Sequence, residues 1–301
     1  MQNQINYEKI RELLVAKQAS GLSDRTISKQ LAIYGASEAV ICNIRNGKDF
    51  NKVSQRVWLA LGKFCGLSYW QPAQTQNLKR TYAVCLEAQN HGIAKAIAFA
   101  PGTGKTFGLN YYANNVPNVY YIECEEHYTR KVFLSKLSQA IGIEAIGEGI
   151  AGMIDEIVKT LLSRTTTTPL LLIDEADKLR DGVINIFKTL YNKLNGHCGF
   201  VLAGTPHLSI RITKNAKRDK MAYREILSRV GNEFIPLINP TINDIRLIAT
   251  ANGLENESAI KSIYNASAGD LRTVQHLVTM AVNQNNTVAY NALQPENITQ
   301  N

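Results

Sequence analysis

The chain has 301 residues, of which 45% are hydrophobic and 19% are charged, and its formal net charge is +8. These values are typical of a soluble globular protein with room for two domains. No apolar run approaches the length of a membrane span and no secretory signal pattern opens the sequence, so we expect a cytoplasmic protein without a membrane partner. The five cysteines lack a CxxC spacing, which favours a reducing compartment and argues against structural zinc.

The positive charge is concentrated in the N-terminal part of the chain. Residues 1–80 contain 12 Lys/Arg and 5 Asp/Glu, a net charge of +7, whereas residues 81–301 contain 21 and 20, a net charge of +1. A small basic module ahead of a nearly neutral body suggests nucleic-acid binding. The alternative is a basic face that only keeps the protein soluble, and charge alone does not separate the two.

Two short helices are predicted within residues 23–48. Ser23 and Ser37 can each cap a helix, and a turn of Tyr34, Gly35 and Ala36 separates the two helices. Apolar positions at helical spacing are expected to face inward: Ile27, Leu31, Val40, Ile41 and Ile44. The pattern predicts a helix-turn-helix domain over residues 1–67, and residues 35–48 resemble the recognition helix of lambda-repressor-like domains.

The second of these helices offers few groups that could read DNA bases, since its exposed positions include Glu38 and Ala39. We therefore expect weak or sequence-independent DNA contact from this domain, mainly through Asn43, Arg45, Lys48 and Lys52. The alternative is a helix-turn-helix that contacts only protein. A polar, Pro-containing segment at residues 68–80 is predicted to be a linker.

A phosphate-binding loop is predicted after the first strand of the next segment. The stretch AFAPGTGKTFGL, residues 98–109, matches the second half of the P-loop pattern, although Phe99 stands where the pattern has its first Gly. The glycines allow a tight turn whose N–H groups can bind an anion, Lys105 can reach terminal phosphates and Thr106 can bind Mg²⁺. The expected ATP-binding residues are Pro101, Gly102, Thr103, Gly104, Lys105, Thr106 and Phe107.

A pair of acidic residues completes the predicted site. The stretch PLLLIDEADKL, residues 169–179, is a short apolar run typical of a buried parallel strand, and two carboxylates follow it. Asp174 can hold Mg²⁺ beside the phosphate loop, and Glu175 can activate the attacking water. Together the two stretches predict an ATPase that uses ATP and Mg²⁺.

Strands and helices alternate through the rest of this segment. Further strands are expected at residues 94–99, 119–124 and 199–205, with helices between them, and the chain becomes helical from Thr241. This order predicts a parallel, doubly wound α/β sheet whose chemistry lies at the carboxyl ends of its strands. We expect an α/β ATPase core over residues 81–238 and a helical lid over residues 239–301.

Four motifs, APGTGKT, LLLIDEAD, LAGTP and GDLR, occur in an order that resembles the AAA+ ATPases over roughly residues 75–285. The resemblance implies that Thr205 senses the γ-phosphate and that Arg272 in the lid is the second sensor. It also implies an arginine that reaches the ATP of a neighbouring subunit, for which Arg229 is preferred to Arg224. The catalytic set is then Lys105, Glu175, Thr205, Arg229 and Arg272, in an oligomer with ATP at its subunit joints.

Within the AAA+ proteins, a small helix-turn-helix, a short linker, a minimal core and a compact lid resemble the group that contains the phage Mu B protein, TnsC and IstB. This resemblance implies ATP-dependent helical filaments on double-stranded DNA, bound without sequence preference, and a DDE-type transposase as the partner. It also implies a bacterial or phage-infected cell. The alternatives are a helicase loader of the DnaC type and a transcription regulator switched by ATP.

Two further stretches are candidates for DNA contact in such an assembly. After the second strand, the candidates are Thr129, Arg130 and Lys131, where the resemblance places a loop that faces a pore. The stretch RITKNAKRDKMAYR, residues 211–224, has six Lys/Arg against one Asp, and its candidates are Lys214, Lys217 and Arg218. Such contacts would be directed at the DNA backbone and sensitive to salt. The alternative for each stretch is an ordinary solvated surface.

Overall fold

A computed structural model describes residues 7–19, 22–32, 35–65, 70–143, 149–164 and 166–292. The predicted turn residue Tyr34, the first two residues of the predicted linker and the last nine residues of the predicted lid lie outside these ranges. The chain divides into two units, Met1–Pro72 with Ala251–Gly253, and Ala73–Thr250 with Leu254–Asn301. Within the described ranges, no helix combines the length and the apolar character that crossing a membrane would require.

The first unit is helical. Its helices are α1 (Tyr7–Ala19), α2 (Asp24–Leu31), α3 (Glu38–Arg45) and α4 (Gln55–Phe64). The predicted caps are confirmed, because Ser23 Oγ accepts a hydrogen bond from the Thr26 N–H at 3.2 Å and Ser37 Oγ accepts one from the Val40 N–H at 3.3 Å. The predicted inward residues contribute to one apolar core, with Val40 half-buried at its edge and Trp58 fully enclosed.

The second unit begins with α5 (Gln76–His91), which corrects the predicted linker. Residues 76–80 are helical, because Thr75 caps this helix and its Oγ1 accepts a hydrogen bond from the Leu78 N–H at 3.2 Å. Gly92, in the left-handed conformation, ends the helix before the first strand.

Four parallel strands form the sheet of this unit, in the order β1-β4-β3-β2. They are β1 (Ala94–Ala98), β2 (Val119–Glu123), β3 (Leu170–Asp174) and β4 (Gly199–Gly204). Ile235 pairs with Ile97 on the outer side of β1 as a single parallel bridge. All residues of the central strands β3 and β4 are buried. Because the strands are parallel, their carboxyl ends lie at the same edge of the sheet.

Helices cover both faces of the sheet. They are α6 (Lys105–Asn115), α7 (Arg130–Ile141), α8 (Ile150–Leu162), α9 (Asp181–Leu194), α10 (Pro206–Lys217) and α11 (Tyr223–Arg229). Each face has its own apolar core. The remaining helices are α12 (Ile242–Ala251), α13 (Glu257–Ser267) and α14 (Leu271–Ala292). The predicted α/β class and the parallel sheet are confirmed.

Candidate nucleotide-binding site

The loop between β1 and α6 has the backbone of an anion-binding turn. Gly102 and Gly104 have φ values of +75° and +92°, and Gly104 is the N-cap of α6. The positive φ of Gly102 favours glycine, and a Cβ atom added there would lie 2.6 Å from the Asp270 carboxyl carbon and would displace that side chain. The free N–H groups and the positive end of the α6 dipole therefore meet where an anion would bind.

Lys105 is the first residue of α6, and its side chain reaches back into this loop. Its ammonium donates hydrogen bonds to the carbonyls of Phe99 and Ala100, both at 2.8 Å, and only 5% of the residue is exposed. Burial lowers the pKa of Lys105, while Asp174, Glu175 and Asp177 oppose that shift. The loop therefore holds a positive charge within the field of the acidic residues that follow β3.

Asp174 ends β3 and is completely buried. Its two carboxylate oxygens accept hydrogen bonds from the Glu175 N–H at 2.9 Å and from the Tyr121 hydroxyl at 3.1 Å, and Thr106 also donates to this carboxylate. Burial raises the pKa of Asp174, and these three donors oppose the shift by favouring the charged form. The hydroxyl of Thr106 and the carboxylate of Asp174 are thus brought together, as the sequence predicted for a magnesium site. Tyr121 was not predicted.

Glu175 opens a short 3₁₀ turn, Ala176–Lys178, from a left-handed backbone position with φ of +53°. Its carboxylate forms an ion pair with the ammonium of Lys178 at 3.3 Å. The structure therefore places the predicted base directly after the buried carboxylate, with a partner that the sequence analysis did not identify.

Thr205 follows β4 and caps α10. Its hydroxyl donates to Asp177 Oδ2 at 2.7 Å and accepts from the His207 N–H at 3.3 Å, while its own N–H donates to Asp177 Oδ1 at 3.2 Å. A hydroxyl has a single hydrogen to donate. The Thr205 hydroxyl can therefore donate to a phosphate only after its hydrogen bond to Asp177 breaks. The sequence did not indicate this bond.

The GDLR loop before α14 packs against the phosphate loop. The Leu271 N–H donates to the Gly102 carbonyl at 2.8 Å, and the Asp270 carboxylate accepts from the Arg272 N–H at 2.7 Å. Arg272 is exposed, and its charge contributes to the lowered pKa of Lys105. The structure therefore brings Arg272 within electrostatic reach of the loop, and its role as a sensor of the γ-phosphate stays a prediction.

The two arginines proposed to act on a neighbouring subunit both lie on the surface of α11. Arg229 donates to Asn192 Oδ1 at 3.1 Å and lies over the Tyr191 ring at 5.2 Å, whereas Arg224 pairs with Asp219 at 3.5 Å. Both line an open cavity of about 500 Å³ beside the turn from α10 to α11. Within the part of the chain that the structure describes, neither arginine is hydrogen-bonded to the phosphate loop of its own chain.

The candidates for DNA contact in the second unit are exposed. Thr129 caps α7 by accepting from the Val132 N–H at 3.3 Å, and Arg130 and Lys131 follow it on the surface. In the basic stretch of residues 211–224, carboxylates neutralise three cations, namely Arg211, Lys220 and Arg224. The other three cations are exposed and have no carboxylate partner among the described residues: Lys214, Lys217 and Arg218.

Two of the candidates for DNA contact in the first unit already form ion pairs with carboxylates of that unit. Arg45 forms an ion pair with Asp24 at 2.9 Å, and Lys52 forms one with Asp49 at 2.9 Å. Asn43 is half-buried, while Lys48 is exposed. The charges of Arg45 and Lys52 are therefore compensated locally, which makes Lys48 the more available cation of this domain's predicted set.

Residues 90–212 match the family model of the AAA domain. The second unit has the AAA+ P-loop fold. Solved structures that share it include Cdc6p from Pyrobaculum aerophilum, at 16% identity over 72% of this chain and 66% of that one, with a TM-score of 0.51. They also include the ORC1 protein of Aeropyrum pernix in complex with DNA, at 18% identity over 69% of this chain and 59% of that one, with a TM-score of 0.51. This chain thus spans less than two thirds of their length. The sequence has no match among curated proteins.

The match confirms the AAA+ fold that the four motifs predicted, and with it a nucleotide-binding fold. The narrower resemblance to the Mu B, TnsC and IstB group stays a prediction. The residues that sequence reasoning missed are Tyr121, Asp177 and Lys178. Asp177 and Lys178 stand within the motif DEADKL, and their charges so close to Asp174 and Glu175 were the signal that could have identified them.

Proposed function

We propose that the chain is an ATP-hydrolysing AAA+ protein that assembles on double-stranded DNA without sequence preference and presents that DNA to a DDE-type transposase. The observation that carries the ATPase assignment is the convergence of Lys105, Asp174 and Glu175 at one edge of the sheet. The lid loop adds to it by its hydrogen bond from Leu271 to Gly102.

The donor set fits a magnesium nucleotide. A buried ammonium and a glycine loop suit phosphate oxygens, while a carboxylate and a hydroxyl are the hard oxygen ligands that Mg²⁺ prefers. When bound, Mg²⁺ would neutralise charge on the phosphates. Lys105 would exchange its bonds to two loop carbonyls for bonds to phosphate oxygens, and Thr106 and Asp174 would hold the metal.

Glu175 would accept the proton of the attacking water, since it is the less buried of the two adjacent carboxylates. Asp174, enclosed and held by three donors, is suited to binding rather than to moving a proton. Thr205 and Arg272 would engage the γ-phosphate, and Arg229 would approach from a second subunit. The last assignment makes hydrolysis depend on assembly.

DNA binding is supported by the exposed cations on α10. Lys214, Lys217 and Arg218 lie within two turns of one another and are not neutralised by the carboxylates that hold the other cations of this stretch. The ORC1 structure that shares the fold was solved in complex with DNA. Contacts of this kind neutralise phosphates and carry no base information. The transposase assignment is supported by the order of the motifs and by the basic helical module that precedes them.

Fluorescence anisotropy with a random-sequence duplex tests DNA binding. We expect tighter binding with ATP than with ADP and a steep loss of affinity with salt. Replacing Lys214, Lys217 and Arg218 by Ala should reduce the slope of log Kobs against log salt by about 0.9 for each DNA phosphate that the variant no longer neutralises.

The matched control replaces three lysines that already have carboxylate partners, Lys159, Lys188 and Lys193, so that the same charge is removed. An unchanged salt slope in the first variant would reject the α10 surface as the DNA-binding face. Tight binding to one sequence alone would favour the ATP-switched regulator.

A further inference from the structure

The 3₁₀ turn after β3 contains a charged residue that the proposed reaction does not use. Lys178 lies three residues after Glu175, and its ammonium is 3.3 Å from Glu175 Oε2. The side chains are 35% and 19% exposed, so both are partly withdrawn from water. The proposed base is therefore already engaged by a cation of its own turn.

The backbone around this ion pair is fixed from outside the turn. Lys178 donates its N–H to the Glu175 carbonyl at 3.0 Å, which closes the turn. From α10, the Arg211 guanidinium donates to the carbonyls of Asp177 and Leu179, the two residues that flank Lys178. The Arg211 guanidinium is held in turn by Asp181 at 2.7 Å. The backbone on either side of Lys178 is thus held by the fold, and the ion pair places the ammonium beside Glu175.

This ion pair has a chemical consequence for Glu175. A carboxylate oxygen that accepts from an ammonium cannot take the proton of a water at the same lone pair. Burial alone lowers the pKa of Lys178, but Glu175, Glu123 and Asp177 outweigh it and keep that pKa above its ordinary value. Lys178 therefore stays charged across the physiological range, so the ion pair opens by movement of a side chain and not by loss of the Lys178 proton.

We propose that Lys178 is a positioning residue that holds Glu175 in an orientation unable to activate water, so that turnover requires this ion pair to open. The proposal rests on the proposed ATPase activity and extends it. It assigns to Lys178 a restraining role, and it predicts that removing the ammonium speeds hydrolysis.

Steady-state ATPase assays on the full chain test this directly. Lys178→Ala should raise kcat by about threefold to fivefold, the factor that corresponds to releasing a partly exposed ion pair, with KM for ATP unchanged. Lys178→Arg, which keeps the charge, should stay at the wild-type rate. In a Glu175→Gln background, Lys178→Ala should have no effect on the rate.

Lys188→Ala is the matched control, because Lys188 of α9 forms an ion pair of similar length, 3.0 Å, with Glu225 of α11. A second measurement uses the protein without nucleotide. The urea midpoint shifts of Lys178→Ala and Glu175→Gln should be less than additive in the double variant, as expected when both remove one interaction.

A kcat for Lys178→Ala at or below the wild-type value would overturn the proposal, and so would activation that persists with Glu175→Gln or additive midpoint shifts. These outcomes leave the ATPase assignment standing if the wild type hydrolyses ATP. Absence of hydrolysis in the wild type would instead reject the proposed function, and this inference with it.

Discussion

At the scale of single residues, we expect the proposed nucleotide binding to depend most on Lys105. Its ammonium is buried and bonded to the loop carbonyls of Phe99 and Ala100, so it is already positioned where phosphate oxygens would bind. Lys105→Ala removes a charge-assisted interaction worth about 3 kcal/mol, and ATP affinity should fall roughly 100-fold. Titration with a fluorescent ATP analogue measures this.

The control for that experiment is Lys95→Ala on the adjacent strand β1. Lys95 forms an ion pair with Glu87 at 2.7 Å and is not part of the phosphate loop. Its replacement should leave ATP affinity unchanged. Wild-type affinity in Lys105→Ala would refute the phosphate-loop assignment.

The residues of the candidate nucleotide site were predictable to different degrees. Lys105, Thr106, Asp174 and Glu175 could be found because each lies in a local pattern whose spacing carries the chemistry. Tyr121 could not, because its hydroxyl meets Asp174 only through the parallel pairing of β2 with β3, 53 residues apart in the chain. Contacts of this kind are set by strand register, which no local pattern specifies.

At the scale of elements, Asp181 ties three helices together. It begins α9, and its carboxylate accepts from Arg211 of α10 at 2.7 Å, from the Tyr223 hydroxyl of α11 at 2.5 Å and from Lys220 in the connecting turn at 2.5 Å. Lys220, followed by Tyr223 and Arg211, holds the pKa of Asp181 well below its usual range. This network links the basic face of α10 to the turn that contains Lys178.

The depressed pKa makes the contribution of Asp181 to stability depend on pH. Because the pKa is lower in the folded chain, the stabilisation is present above the unfolded value of about 3.9 and is lost as pH falls below it. Asp181→Asn should therefore lower Tm by about 2–4 °C at pH 7, corresponding to about 1 kcal/mol for this half-exposed network. The difference from the wild type should shrink below about pH 4.

Thermal melts at several pH values check this, with Asp219→Asn as the control, since the ion pair of Asp219 with Arg224 is 81% exposed on both sides. A gap between wild type and Asp181→Asn that is unchanged at pH 3 would contradict the assignment of the shift to this carboxylate.

The start of α5 shows why element boundaries were less predictable than element types. Residues 76–80 read as part of a polar linker, yet the Gln76 N–H donates to Asp244 Oδ1 at 2.9 Å and the Asn77 amide donates to the carbonyls of Thr103 and Ile238. These partners lie far away in sequence. Tertiary contacts therefore fix the first turn of the helix where local composition favoured a loop.

At the scale of the whole molecule, the AAA+ fold followed from four motifs in order, since a phosphate loop and an acidic pair define two strand ends of one parallel sheet. The sequence motifs did not predict which surface cations carry an uncompensated charge. In the first unit Arg45 and Lys52 read as available cations, but Asp24 and Asp49 neutralise them. A count of charges predicts a basic module without identifying which of its cations are available to a phosphate backbone.

The central claim is that ATP assembles subunits on DNA, because Arg229 can complete an ATP site only across a subunit joint. Arg229 is exposed on α11, where it is held by Asn192 and lies over Tyr191. Arg229→Ala should therefore bind ATP but lose assembly and hydrolysis. Arg164→Ala is the matched control, since Arg164 lies over the Tyr120 ring at the same distance of 5.2 Å.

Light scattering of the protein with random duplex DNA, in ATP and in ADP, tests that claim most directly. The account predicts large assemblies of the wild type and of Arg164→Ala with ATP, none with ADP, and none for Arg229→Ala in either nucleotide. Equal scattering of the wild type in ATP and ADP, or assembly of Arg229→Ala at the wild-type level, would contradict it.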